Sequence, residues 1–303
     1  MQGVGMDWDD LRVFLAVARS ESLSAAGKRL GLDPATVGRR IARLEEQTAT
    51  GLFTRSPQGY ALTEEGARLV PAAEAAEAAA LAAEEALRQP QGAGGLSGQI
   101  RLGAPDGCAN YLLPPVIAAI VAENPALEVQ IVALPRVFNL SRREADMAIG
   151  VSRPDAGRLT VQKLSDYHLS LAAHPDYLNG RPKVQSLADL RAHRMVGYIP
   201  DMIFDKELDY LGGLGVSLVG VASNSVPVQL QLLRAGAGIG VVHDFALPHA
   251  PELIRLLPEE VRLKRAFWLI RHEGDSRSAR LSRFAALLAE GLRREVARAE
   301  AFS

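Results

Sequence analysis

Residues 23–42, LSAAGKRLGLDPATVGRRIA, constrain this chain more than any other stretch. The pattern predicts two short helices joined by a tight turn. Ser22 or Ser24 is placed to cap the first, whose Ala25, Ala26 and Leu30 form a small apolar face. Gly31 stands where a helix ends in a left-handed residue. Asp33 is a good N-cap for the second helix, and Pro34 fits its first turn, where a missing N–H costs nothing. The second helix turns Val37, Ile41 and Leu44 inward and Thr36, Arg39, Arg40 and Arg43 outward. One helix bracing a second that lies in a major groove is the build of a helix-turn-helix. Taken alone, the same residues also suit an ordinary helical hairpin with a solvated basic face.

The net charge of −1 over 303 residues makes the whole molecule no polycation, so affinity for nucleic acid has to come from a local patch. Lys28, Arg29, Arg39, Arg40 and Arg43 against Asp33 supply one. The single cysteine, Cys108, excludes an intramolecular disulfide and a Cys-based zinc site. The opening MQGVGMDWDD lacks the basic and apolar regions of a signal peptide, and no apolar run is long enough to span a membrane. A cytoplasmic protein is the expectation.

In chain order, residues 7–20 read as an amphipathic helix with Leu11, Phe14, Leu15 and Ala18 at helical spacing, capped by Asp7 or Asp9. It completes a three-helix core. GLFTRSPQGYALT, residues 51–63, reads as a short β-hairpin, or wing, with Arg55 placed to meet a phosphate beside the groove. Thr63 then opens a long alanine- and glutamate-rich helix, suited to a dimer arm or to a solvated spacer. QPQGAGGLSG, residues 89–98, reads as a flexible linker. The domains expected are 6–63 for the winged helix-turn-helix, 64–90 for the linker helix, 91–98 for a hinge and 99–303 for an α/β domain.

Beyond residue 98 strands and helices alternate: QIRLGA, a helix over 111–123, LEVQIVAL, ADMAIGV, LSLAAH, MVGYIP, SLVGVAS, a helix over 227–235, AFWLIR and a final helix over 277–299. Such alternation predicts a mostly parallel sheet with helices on its faces, in two small lobes with a cleft between them. Lobe I is expected over 99–165 and 268–303, lobe II over 166–267. RAGAGIGVV has dinucleotide-like glycine spacing, but it follows a helix and precedes a strand, so it reads as a helix-to-strand turn. His168, His174, His193, His243, His249 and His272 show no metal-ligand spacing, and no G-x-S-x-G motif or P-loop is present. No cofactor and no catalysis are expected.

DLRVFLAVARSESLSAAGKRLGLDPATVGRRIARLEEQ and GLFTRSPQGYALTEEG, with YLLPPVIAAIVAENPALEVQIV, READMAIG and LLRAGAGIGVV further on, resemble the LysR-type transcriptional regulators along nearly the whole chain. The resemblance implies a winged helix-turn-helix, a dimerising linker helix and a two-lobed domain like type 2 periplasmic solute-binding proteins. It also implies a homo-dimer or homo-tetramer on an interrupted palindrome in double-stranded promoter DNA, a small-molecule effector in the cleft, and RNA polymerase as a partner of an activator. Two departures stand in the recognition helix. Asp33-Pro34-Ala35-Thr36 replaces the family's frequent Ser-Gln-Pro-Ala, and Gly38 replaces a frequent serine. The segment between Val132 and Asp146 is shorter than in many members.

Candidate DNA contacts are therefore Ser24, Asp33, Thr36, Val37, Arg39, Arg40, Arg43 and Arg55. Effectors in this architecture meet strand ends and helix N-termini, which selects Ala104, Pro105, Asp106, Leu134, Arg136, Ser152, Tyr198, Asp201, Asn224 and Ser225. Asp106 is expected to cap the helix after the first strand, disfavouring an anionic effector unless Arg136 or Arg153 turns inward. Cys108, beside that helix start, reads as a small buried residue before it reads as a redox sensor. A solute-binding module without DNA binding is the competing function, opposed by the basic second helix and the absent signal peptide.

Overall fold

A computed structural model describes residues 6–56, 59–88, 95–133, 145–154, 159–216, 218–273 and 278–301. Leu134, Arg136 and the first part of the expected linker lie outside these residues. The chain forms two compact units that divide at residues 93 and 94.

The N-terminal unit consists of α1 (Trp8–Ser20), α2 (Leu23–Leu30), α3 (Pro34–Thr48), β1 (Phe53–Ser56), β2 (Gly59–Leu62) and α4 (Glu64–Arg88). Local chemistry sets every boundary of the helical hairpin. Asp7 caps α1 and Ser22 caps α2. Gly31 ends α2 in the left-handed region at φ 66°. Asp33 opens α3 by accepting from the Thr36 N–H at 2.9 Å. Gly27 is required by packing, since a Cβ there would lie 2.5 Å from the Leu32 carbonyl oxygen. Phe14, Val37 and Leu44 are fully buried in the shared core.

The wing is an antiparallel pair held at both ends. The Glu45 carboxylate accepts from the Leu52 and Phe53 N–H groups at 2.6 and 3.1 Å, and the Tyr60 N–H donates to the Glu21 carbonyl at 2.9 Å. Phe53 packs on Phe14 with ring centroids 5.4 Å apart. Arg19 ties α1 to α4 by donating to both carboxylate oxygens of Glu77, at 3.0 and 2.8 Å.

The second unit runs β3 (Gly98–Ala104), α5 (Asp106–Tyr111), α6 (Leu113–Glu123), β4 (Leu127–Ala133), β5 (Met147–Gly150), β6 (Leu159–Ala173), α7 (Pro175–Leu178), β7 (Met195–Gly197), β8 (Val221–Ala222), α8 (Val226–Arg234), β9 (Ile239–His243), β10 (Ile254–Leu256), β11 (Arg262–His272) and α9 (Ala279–Glu300). One curled sheet runs β4-β3-β5-β11-β6-β9-β7-β8, with β10 beside β6. The sheet is mixed, which corrects the mostly parallel expectation. β3 pairs in parallel with β4 and β5, and β7 with β8 and β9, whereas β6 and β11 form a long antiparallel ladder.

That ladder makes the domain two-lobed. The C-terminal part of β11 pairs with β5, and the C-terminal part of β6 pairs with β9, so each long strand serves both halves of the sheet. The register shifts between Phe267 and Trp268, where Leu164 is left without a partner across the ladder. A bulge of this kind bends the strand and adds twist. LSLAAH is therefore the end of a 15-residue strand, and SLVGVAS shrinks to the two residues of β8. RAGAGIGVV does form the turn from α8 into β9.

Candidate functional site

The exposed start of α3 carries a polar relay. The Arg39 guanidinium donates to the Thr36 hydroxyl at 2.8 Å, and that hydroxyl donates to Asp33 at 2.5 Å. These hydrogen bonds hold the Asp33 carboxyl below the usual carboxylate range, with the Thr36 hydroxyl the largest cause. Ser24 is exposed in the first turn of α2. Arg55 is exposed on the wing, with its guanidinium 5.7 Å from the centre of the Tyr60 ring.

Three of the expected DNA contacts point elsewhere. Val37 is fully buried in the core between the helices, so it supports α3 and presents nothing to a base. Arg43 donates through Nε to the carboxylate of Asp10 at 2.6 Å, with a second bond from its Nη2. Arg40 lies 3.4 Å from Asp9 and 3.8 Å from Asp10. Asp10 is fully buried, so these two arginines are the counter-charge of α1 before they are a basic face.

In the second unit, the two lobes meet at α5 and α8. Asp106 is the first residue of α5, but the cap position belongs to Pro105, which corrects the expected cap. The Asp106 carboxylate instead accepts from the Val226 N–H at 3.0 Å, at the start of α8 and 120 residues away. The Ser225 hydroxyl bonds to Asp106 and makes no capping bond within its own helix. Asp106 thus caps α8 from the opposite lobe. Gly107 permits the approach: a Cβ there would lie 3.1 Å from a Val226 methyl.

Behind this contact is a cavity of about 20 Å³, space for roughly one water. Pro105, Asp106, Tyr198, Phe204, Tyr210 and His243 are among its walls. Tyr167 stacks on Phe267 at 4.2 Å behind them. Burial raises the Asp106 carboxyl above its ordinary range, against the hydrogen bonds from Ser225, Gly107 and Val226. Burial holds His243 neutral, with its pKa down to about 3, and its Nε2 lies 3.3 Å from the Tyr210 hydroxyl. Burial also pushes the Tyr198, Tyr210 and Cys108 groups up, so all three stay protonated.

The remaining expected effector residues are scattered. Ala104 is fully buried in the core and is not among the cavity's walls. Asp201 is exposed on a 3-10 turn, and neither it nor Asn224 borders the cavity. Ser152 bonds to Asp205 at an open groove of about 800 Å³ beside the bulge, which Arg153 and Trp268 also line. Charges in that groove are largely matched, Lys264 to Asp166 at 3.1 Å and Arg265 to Glu207 at 2.9 Å.

The family model of the LysR substrate binding domain matches residues 93–293, and that of the bacterial regulatory helix-turn-helix protein, lysR family, matches residues 8–67. The chain belongs to the LysR family. Among relatives, the HTH-type transcriptional activator TtdR of Escherichia coli K12 is 29% identical over 290 residues, covering 90% of this chain and 89% of TtdR. The solved structure of CrgA, a LysR-type transcriptional regulator from Neisseria meningitidis, is 25% identical, with a TM-score of 0.56 over 95% of this chain and 99% of CrgA. A full-length OxyR variant from Pseudomonas aeruginosa shares the fold with a TM-score of 0.70 at 18% identity over 95% of each chain. This LysR-family chain is a transcriptional regulator, not an enzyme. No helix among its described residues is long and apolar enough to cross a membrane.

Sequence reasoning missed two groups in this LysR-type regulator. Asp10 and Glu45 organise the recognition helix and the wing through partners 33, 7 and 8 residues away. Phe204, Tyr210 and His243 line the cavity, although nothing in their local pattern separates them from core residues. The unusual aromatic content of residues 198–210 was the available signal: Tyr198, Phe204 and Tyr210 in a segment with little regular structure.

Proposed function

We propose that this LysR-family regulator reads an interrupted palindrome in promoter DNA through the first turns of α3 and the wing, as a homo-oligomer in the cytoplasm. A small molecule entering the cleft between α5 and α8 alters that binding. The observation that carries the DNA reading is the relay of Asp33, Thr36 and Arg39 at the exposed start of α3, over a core of Val37, Ile41 and Leu44. Arg39 is the side chain best placed for a base edge, a contact worth ~1–3 kcal/mol of discrimination when it is bidentate to guanine. Arg55 and Ser24 suit phosphates on either side. An activating role would add RNA polymerase as a partner.

The test is binding of the purified full chain to its own upstream DNA across a salt series, beside Arg39→Ala. Sequence-selective binding should fall steeply with salt, by about 0.9 in log–log slope per phosphate neutralised. Arg39→Ala should lose selectivity between sites. Retained selectivity in the variant would move base reading to another residue, and binding without any selective site would overturn the reading.

A further inference from the structure

Among the described residues, the cavity between the lobes is electrostatically one-sided. Asp106 is the one acid among the described residues that line it, and no lysine or arginine does. His243, the one base there, is held neutral by burial. Asp106 is half-buried, and among the described residues its hydrogen bonds come from uncharged donors, the Val226 and Gly107 N–H groups and the Ser225 hydroxyl. Burial, rather than a neighbouring charge, is the largest cause of its raised pKa. Of the two arginines whose inward turn would admit an anion, Arg153 lies on the open groove, and Arg136 lies outside the described residues.

The walls complete the picture. Tyr198 and Tyr210 stand edge to face with centroids 5.9 Å apart, with Phe204 beside them. Ring faces attract cations, and the Tyr210 ring already has the Arg265 guanidinium 5.9 Å from its centre. A carboxylate ligand would meet none of this. While the lobes are closed, the helix N-terminus that would receive it is occupied by the chain's own carboxylate, and once they open its charge would still lie beside that of Asp106.

We propose that Asp106 sets the charge class of the cleft's ligand: an organic cation, an amine or a guanidine, that pairs with Asp106 between the aromatic rings. This rests on the reading of the cleft as the effector site. At about 20 Å³ the cavity holds no such molecule while the lobes are closed, so entry has to part α5 from α8. The Asp106–Val226 hydrogen bond is the contact that parts.

The test melts the full chain at constant ionic strength with agmatine, putrescine or tyramine, and in parallel with succinate, benzoate or 4-hydroxyphenylacetate. At least one cation should raise the Tm by about 2 °C or more, the shift expected of a ligand held well above its Kd. None of the acids should do so, and Asp106→Asn should abolish the rise. A rise with any acid on the wild-type chain, silence of all three cations, or an equal rise in Asp106→Asn overturns the proposal. The wild-type arms decide even if the variant fails to fold. Selective DNA binding is measured on the same preparation, so loss of the regulator reading is seen separately from loss of the cation assignment.

Discussion

His243 should make the effector-binding domain acid-sensitive in a measurable way. Its ring is buried between Tyr167 and Phe245, at centroid distances of 5.6 and 4.9 Å, with the Tyr210 hydroxyl at 3.3 Å. Burial lowers its pKa from 6.5 to about 3. Because the folded value lies below the unfolded one, the unfolded chain binds a proton between the two and the folded chain does not. Stability is therefore complete above pH ~6.5 and falls as the pH drops toward ~3, by up to about 1.4 kcal/mol per pH unit. From pH ~7 to ~5 the loss from this one group is about 2 kcal/mol, and a folded pKa one unit higher changes it by less than about 0.1 kcal/mol. In a domain of this size that corresponds to about 4–8 °C in Tm. The assay is the melting of the full chain against pH, wild type beside His243→Gln, which keeps a polar group near Tyr210 but does not titrate. Carboxylates such as Asp166, Asp189 and Glu252, whose pKa values are lowered by their partners, also lose stability in acid, but equally in both proteins. The wild-type curve should fall about 2 kcal/mol further than the variant's. Parallel curves would refute the assignment of a buried neutral histidine.

In the N-terminal unit, Asp10→Ala removes the buried acceptor of Arg43 and should cost about 1.5–3 kcal/mol, read as a lower melting transition of that unit. Gly27→Val should lose DNA binding together with cooperative melting of the helical hairpin, because the Leu32 carbonyl already occupies the space of the new side chain, while the effector domain's transition stays in place. Cys108 is fully buried with its thiol held protonated, so a thiol reagent should label the native chain negligibly and the denatured chain at one site. Rapid labelling of the native protein would revive a redox role for it.

The features legible in the sequence are those whose physics closes within four residues. Ser22 and Asp33 cap the helices that follow them, and Gly31 ends α2 with φ 66°, because each interaction is made by neighbours along the chain. Arg40 and Arg43 of α3 read as part of a free basic face because their partner, Asp10, stands on another helix. The first half of β6 concealed itself in a similar way. Its residues are half-exposed or exposed from Leu159 to Lys163, so no alternation announced the strand before Leu164, and only its buried end stood out. The cleft was harder still, since Asp106 and Val226 are brought together only by the closure of one lobe on the other.

Two helix N-termini show how the same chemistry divides into scaffold and moving part. At α3, Asp33 precedes the helix it caps, and its bond to the Thr36 N–H spans three residues. No rigid-body motion of one helix against another stretches such a bond, so it holds the recognition helix whatever happens elsewhere. At α8, the cap position is held by Ser225, whose hydroxyl is turned to Asp106 rather than to its own helix. The carboxylate that satisfies the Val226 N–H arrives from the opposite lobe, so this cap exists only while the lobes are together. Opening the cleft exposes the first N–H groups of α8 and a carboxylate left with only the N–H groups of its own helix. A ligand that supplies a positive charge to that carboxylate offsets one of the two costs, and water entering the opened cleft offsets the other. The proposed relation between ligand charge and lobe opening thus rests on where a single aspartate stands in the chain.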